Sequence, residues 1–214
     1  MNILITGGLG FIGSHVSLAL LKEGFDVIIL DSSFKHVSTF KEKLKAILNL
    51  KSLDLNNRCS IHRGDIRNTE LLRNIFIESE LKNHKIDAVI HLAGLKSVRH
   101  SVMNPLLYWD NNFIGSKCLL EVMNEFKCRT IVFSSSAIIY GETSFDILDE
   151  EKELKPNNTY GQTKLSVEFL LESLFNASQE SWRISILRYF NPIGAHESGL
   201  IGESFQNEPN NLFP

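Results

Sequence analysis

Tyr160 and Lys164 stand four residues apart, a spacing that on a helix puts both on one face, in line with Val167, Leu171 and Leu174. A phenol beside an ammonium can act as a proton acceptor if its pKa is brought toward neutrality. A phenol titrates near ~10, and lowering it by about three units takes roughly 4 kcal/mol. One positive charge at about 4 Å, at an effective dielectric near 20, supplies about that much. Ser136 follows the apolar run that begins TIVFS at Thr130, and a hydroxyl there can hydrogen-bond the same substrate oxygen and steady it for proton transfer. Many helices carry this Tyr-Lys spacing by chance, so its weight depends on what precedes it.

What precedes it is a turn built of glycines. Ile3, Leu4 and Ile5 form a short apolar run suited to a buried strand, and Gly7, Gly10 and Gly13 follow at three-residue spacing. Ile12, Val16, Ala19 and Leu20 then recur at helical spacing, so a helix starts at the glycines. Its first N–H groups lack intrahelical acceptors and its dipole is positive there, which suits a pyrophosphate. Phe25 to Leu30 is a second apolar strand, and Asp31 at its end follows Gly13 by the roughly 20 residues at which a carboxylate meets the ribose hydroxyls of NAD. The same carboxylate would repel a 2′-phosphate. An NTPase-type phosphate loop is excluded, because Ser14 follows Gly13 directly with no Lys between. With NAD bound, the positive charge of its oxidised nicotinamide would join that of Lys164 in lowering the Tyr160 phenol.

The elements that must position these groups alternate in type along the chain. The pattern predicts an α/β fold, a Rossmann-like doubly wound parallel sheet. Helices are expected at residues 38–50, 69–79, 105–126 and 158–175, and further strands at 58–63, 86–92, 130–134 and 184–190. Asp65, just past the third strand, fits either a contact to adenine or a cap on the helix after it. Ala93 and Gly94 after the fourth strand let a cofactor backbone pass close, and Lys96 lies on that loop. Asn111 and Asn112 are poor helix formers inside a helix, which points to a specific hydrogen bond unless they face solvent.

With 214 residues, 43% of them hydrophobic, the chain can bury a full core. Lys plus Arg number 22 against 25 Asp plus Glu, so no basic surface for nucleic acid is implied. No apolar run approaches transmembrane length, and the fold starting at residue 2 leaves no room for a signal peptide. Cys59, Cys118 and Cys128 form no CxxC, which makes a reduced, cytoplasmic setting the economical expectation. The seven His form no HExxH and no GxSxG occurs, leaving zinc and serine hydrolase readings, and any metal, without support.

Together these residues resemble the extended short-chain dehydrogenase/reductase family and, within it, the UDP-glucose 4-epimerases. The resemblance is carried by TGGLGFIGSH from Thr6, Asp31, GDIRN from Gly64, HLAGLKSV from His91, DNN from Asp110, FSSSAIIYG from Phe133, YGQTK from Tyr160, LRYFNPIGAH from Leu187 and PNNLFP from Pro209. It implies Tyr160 as catalytic base, Lys164 on the nicotinamide ribose and Ser136 on the sugar. It further implies Phe11, Ile12, Asp31, Asp65, Ile66, Leu92, Ala93, Lys96, Asn111 and Phe190 along NAD, and Asn191 and Asn211 on the UDP-sugar. The implied reaction interconverts UDP-glucose and UDP-galactose by transient oxidation at carbon 4.

Residues 1–190 are then the NAD-binding domain and 191–214 the start of a UDP-sugar region that the family continues further. The chain is accordingly expected to keep some NAD affinity and to lack measurable epimerase activity. Pairing of two chains is expected through helices at about residues 101–126 and 158–175, with Leu119, Leu120, Phe169 and Leu170 as apolar surface if they are not ordinary core. Ser32, Ser33 and Phe34 stand where the family often has asparagines on the ribose. A non-catalytic NAD sensor is disfavoured by the intact Ser136, Tyr160 and Lys164 set. A different reaction on the same scaffold, such as decarboxylation or dehydration of a sugar nucleotide, is disfavoured by Ala137 and Ile138, which stand where the related dehydratases carry an Asp-Glu pair.

Overall fold

In the computed structural model the residues described are 1–33, 37–142, 147–178 and 181–203. Strand β1, Asn2–Thr6, is buried along its whole length, as its apolar run requires, and gives way through the glycine turn to α1, Phe11–Lys22. Then follow β2 at Asp26–Asp31, α2 at Val37–Leu48, α3 at Ser52–Arg58, β3 at Cys59–Arg63, α4 at Thr69–Leu81 and β4 at Ala88–His91. The second half holds α5 at Val98–Met103, α6 at Pro105–Tyr108, a π turn at Trp109–Ile114 and α7 at Gly115–Glu125. It closes with β5 at Thr130–Ser136, a 3-10 turn at Ala137–Tyr140, α8 at Thr159–Ala177 and β6 at Arg183–Tyr189.

The sheet has six strands in the order β3-β2-β1-β4-β5-β6. The chain forms two compact units. The first takes Met1–Asp65, Glu70–Ala93 and the chain from Asn191, and the second Ile66–Thr69 and Gly94–Phe190. In the first unit β1 pairs in parallel with β2 and β4, with Thr6 opposite both Leu30 and His91. That register brings Gly7, Asp31 and Leu92 to one edge, at the place where strand order reverses and ligands of such sheets bind. The core beneath is Ile3, Ile5, Leu18, Leu21, Val27, Ile29, Phe40, Leu44 and Leu55. In the second unit β5 and β6 pair in parallel with Ser136 opposite Tyr189. Residues Val167 and Leu171 of α8 are buried, so the face that carries Tyr160 and Lys164 is the packed one.

Four local expectations are corrected. Arg58 belongs to α3, not to a strand: its guanidinium donates to the carbonyls of Leu21 at 2.8 Å and Phe25 at 3.0 Å and lies 3.4 Å from the Asp26 carboxylate. At the end of α1 it adds a second donor to the Leu21 carbonyl, which also accepts Gly24 N–H at 3.3 Å. The helical stretch expected from Pro105 is preceded by α5, whose first turn Ser97 caps by accepting from His100 N–H at 3.2 Å. Ser135 and Ser136 lie within β5 rather than beyond it, and β4 is shorter than the apolar run that suggested it.

Candidate active site

The glycine turn is shaped by contact with β4's continuation. Gly7 has φ +72°, and a Cβ there would meet the Ala93 nitrogen at 2.8 Å, so only glycine fits. A Cβ on Gly13 would meet the Gly7 carbonyl oxygen at 2.2 Å, because α1 starts directly on the turn. Gly10 is the N-cap residue and offers no side-chain cap, which leaves the first amides of α1 without that internal acceptor. Phe11 and Ile12, the first residues of α1, are half-buried. An uncapped helix start beside a glycine turn is the arrangement that takes a pyrophosphate.

Asp31 does more here than stand at a strand end. Its two carboxylate oxygens accept the N–H of Leu9 at 2.9 Å and of Ser33 at 2.8 Å, fixing the turn and the loop after β2. Each oxygen has a second lone pair. On the β4 side, Leu92 N–H donates to the Thr6 carbonyl at 3.0 Å and Ala93 N–H to Thr6 Oγ1 at 3.3 Å, while that hydroxyl bonds His91 Nδ1 at 2.7 Å. Thr6 and His91 are both buried, and the sequence reading did not single them out for the site. Asp65 is half-buried just past β3, and Asn191 is exposed.

In the second unit Lys164 is buried, and its ammonium donates to the Ser134 carbonyl at 2.7 Å. It lies 4.9 Å from the Phe133 ring centroid and 5.9 Å from that of Tyr160. Burial pulls its pKa down to about 8, against a raising influence from Glu168 one helical turn on. Burial pushes the Tyr160 phenol up, the hydrogen bond with Ser136 pulls it down, and Tyr108 adds a raising influence. The balance holds the Tyr160 phenol above its ordinary value. Ser136 Oγ also accepts from Ile138 N–H at 3.3 Å, which ties the hydroxyl to the 3-10 turn.

Asn112 makes the specific hydrogen bonds expected of an asparagine inside a helix. Buried in the π turn, it accepts from Leu95 N–H at 2.8 Å and donates to the Leu95 carbonyl at 3.0 Å and to Thr163 Oγ1 at 3.3 Å. It thus pins the Gly94–Lys96 loop beside α8. Asn111, its neighbour, is half-buried; Ile66 is buried, whereas Lys96 and Phe190 are exposed. Asn211 lies outside the described residues. A second buried network, unanticipated from sequence, joins Glu168 to Arg188 through 2.8 Å and 3.3 Å contacts and Arg188 to the Tyr140 hydroxyl at 2.9 Å. Its sequence signal was the glutamate four residues after Lys164.

Residues 4–210 match the family described as GDP-mannose 4,6 dehydratase, and the chain belongs to that family. It is 44% identical over 213 residues to an Arabidopsis thaliana protein named bifunctional UDP-glucose 4-epimerase and UDP-xylose 4-epimerase 3, covering 100% of this chain and 58% of that protein. The crystal structure of UDP-glucose 4-epimerase from Bifidobacterium longum in complex with NAD+ and UDP is similar, with TM-score 0.86 and 39% identity over 99% of this chain and 60% of that one. The Stenotrophomonas maltophila UDP-glucose-4-epimerase with bound NAD and formylated UDP-arabinopyranose gives TM-score 0.87 and 39% identity, over 99% and 59%. The chain thus spans about 58% of the length of the curated relatives it matches.

Proposed function

We propose that the chain is the cofactor-binding part of an NAD-dependent UDP-glucose 4-epimerase, interconverting UDP-glucose and UDP-galactose in the cytoplasm as a step of galactose metabolism. The observation that carries this reading is Tyr160 one helical turn from the buried Lys164, whose ammonium lies 5.9 Å from the Tyr160 ring, with Ser136 near enough to draw the phenol's pKa down. The uncapped glycine turn with Asp31 fits the pyrophosphate and adenosine ribose of NAD, with Gly7, Gly10, Phe11, Ile12, Gly13, Asp65, Ile66, Leu92, Ala93, Lys96, Asn111 and Phe190 as further contacts. NAD held by these residues would supply a reversible hydride acceptor for carbon 4 of the sugar.

Tyr160 Oη accepts the proton of the carbon-4 hydroxyl and gives it back. Ser136 Oγ hydrogen-bonds that same oxygen and holds it within transfer distance. Lys164 binds the nicotinamide ribose. Burial holds the Tyr160 phenol up and Ser136 draws it down, and a positive charge beside it, from Lys164 together with an oxidised nicotinamide, would lower it further. Residues 1–190 form the NAD-binding domain, and 191–214, with Asn191 and Asn211, begin the UDP-sugar region. Two such chains, when completed, pair as a homodimer through the helices at about residues 101–126 and 158–175.

Dehydration of a sugar nucleotide, which the family's description names, is the second reading. The 3-10 turn that follows Ser136 is AIIY, with no acid to expel a neighbouring hydroxyl. The two readings separate in an assay with UDP-galactose carrying deuterium at carbon 4, using this chain fused to the carboxyl-terminal part of the Arabidopsis relative. Epimerisation gives UDP-glucose with the label kept at carbon 4, and a product lighter by one water would favour the dehydratase reading.

A further inference from the structure

Tyr160 is gripped by more than its own helix. Its backbone N–H is one of the first-turn donors that α8 cannot satisfy internally. Asn158, the N-cap of α8, accepts from Gly161 N–H at 2.9 Å and leaves the Tyr160 amide to another element. That element is α5: Ser101 Oγ accepts the Tyr160 N–H at 3.1 Å while donating to the Val98 carbonyl at 2.6 Å, and Ser101 is fully buried. The Tyr160 ring in turn meets the edge of Tyr108, with centroids 6.5 Å apart and planes at 81°. Tyr108 is itself buried and anchored, its hydroxyl donating to the Ser97 carbonyl at 2.8 Å, and the π turn begins at the next residue.

We infer that Ser101 and Tyr108 are positioning residues for Tyr160, Ser101 fixing the first turn of α8 and Tyr108 the tilt of the ring, so that the phenol stays on Ser136. The inference rests on the reading of Tyr160 as the proton acceptor. Neither Ser101 nor Tyr108 is assigned a contact with substrate. The arrangement converts the short α5 and α6 into a brace. A buried hydroxyl holds the backbone from one side, and a T-shaped ring contact holds the side chain from another. Proton transfer is steep in this geometry, since a misplacement of about 1 Å can cost on the order of 100-fold in rate. The groups around the phenol are Ser136, Tyr108 and Lys164, with His100 stacked at a tilt on Tyr108 at 5.6 Å between centroids.

The test is a double-mutant cycle read at Tyr160 itself, without cofactor or substrate. The 214-residue chain is labelled with 3-fluorotyrosine, which brings the phenols into an accessible pH range, and its four tyrosines are followed by fluorine NMR against pH. In the parent chain, Ser136→Ala is expected to raise the Tyr160 midpoint, because the hydrogen bond it removes favours the phenolate. In a Ser101→Ala background, and again in a Tyr108→Phe background, the same substitution is expected to leave the Tyr160 midpoint where it was. The Tyr140 and Tyr189 signals report that each variant is folded, and if Ser101→Ala is not, the Tyr108→Phe background decides. An equal rise in all backgrounds, or no rise in the parent, overturns the proposal. Failure of the epimerase reading would show separately, as absence of NAD binding to the parent chain by calorimetry.

Discussion

Lys164 is the residue whose setting has the clearest measurable consequence. Its folded-state pKa of about 8 lies below the ordinary 10.5, so across that interval the unfolded chain holds more protons than the folded one and stability rises with pH. Cys59 works the other way above pH 9, because burial pushes its thiol up to about 11. Between pH 8 and 9 the share of Lys164 alone should be about 1 kcal/mol, partly offset by the thiols of Cys59 and Cys118, both raised by burial. Urea unfolding at the two pH values should show it, and Lys164→Met should flatten it; an equal gain in that variant would move the effect to another group. Asp31 carries the second prediction: NAD binds more tightly than NADP, and Asp31→Ala weakens NAD both by losing a ribose acceptor and by freeing the N–H groups of Leu9 and Ser33. Calorimetric titration of both cofactors into both forms tests this, and equal affinity for the two in the parent would remove Asp31 from that role.

Among the elements, the glycine turn is the least replaceable. Gly7→Ala sets a Cβ against the Ala93 nitrogen in a left-handed backbone, a combination expected to cost on the order of 1–3 kcal/mol or more and to abolish NAD binding. Denaturation with unchanged midpoint in that variant would show that the turn is not held against Leu92 and Ala93 as described. This part of the molecule was legible in the sequence, because β1, α1 and β2 announce themselves by apolar runs, three-residue glycine spacing and a carboxylate at a strand end. The Tyr160 and Lys164 face was legible for the same reason, through a helical period that also runs through Val167 and Leu171. What was not legible is made of short or distant pieces. Helices α3 and α5 have seven and six residues, too few to show a period. Arg58 is placed by carbonyls far away in sequence, and Ser101 matters only because α8 leaves an amide for it.

For the whole molecule, the apolar surface lies only partly where the sequence placed it. Leu119 and Leu120 are core, whereas Met103 at 62%, Leu106 at 82% and Phe169 at 55% are exposed, all on helices near Tyr160. If these chains pair as proposed, light scattering should give twice the monomer mass, and Leu106→Glu with Phe169→Glu should lower it; a monomeric mass of the parent across a wide concentration range counts against pairing. Among the described residues no helix is long and apolar enough to cross a membrane. The central claim is that Tyr160 accepts and returns the sugar's carbon-4 proton beside bound NAD. It is tested most directly by conversion of UDP-galactose to UDP-glucose in the fused protein, parent against Tyr160→Phe, with NAD affinity measured in both. The account predicts turnover lower by on the order of 100- to 10,000-fold in the variant with NAD affinity kept. Near-normal turnover in Tyr160→Phe, or no conversion by the parent with NAD bound, would contradict it.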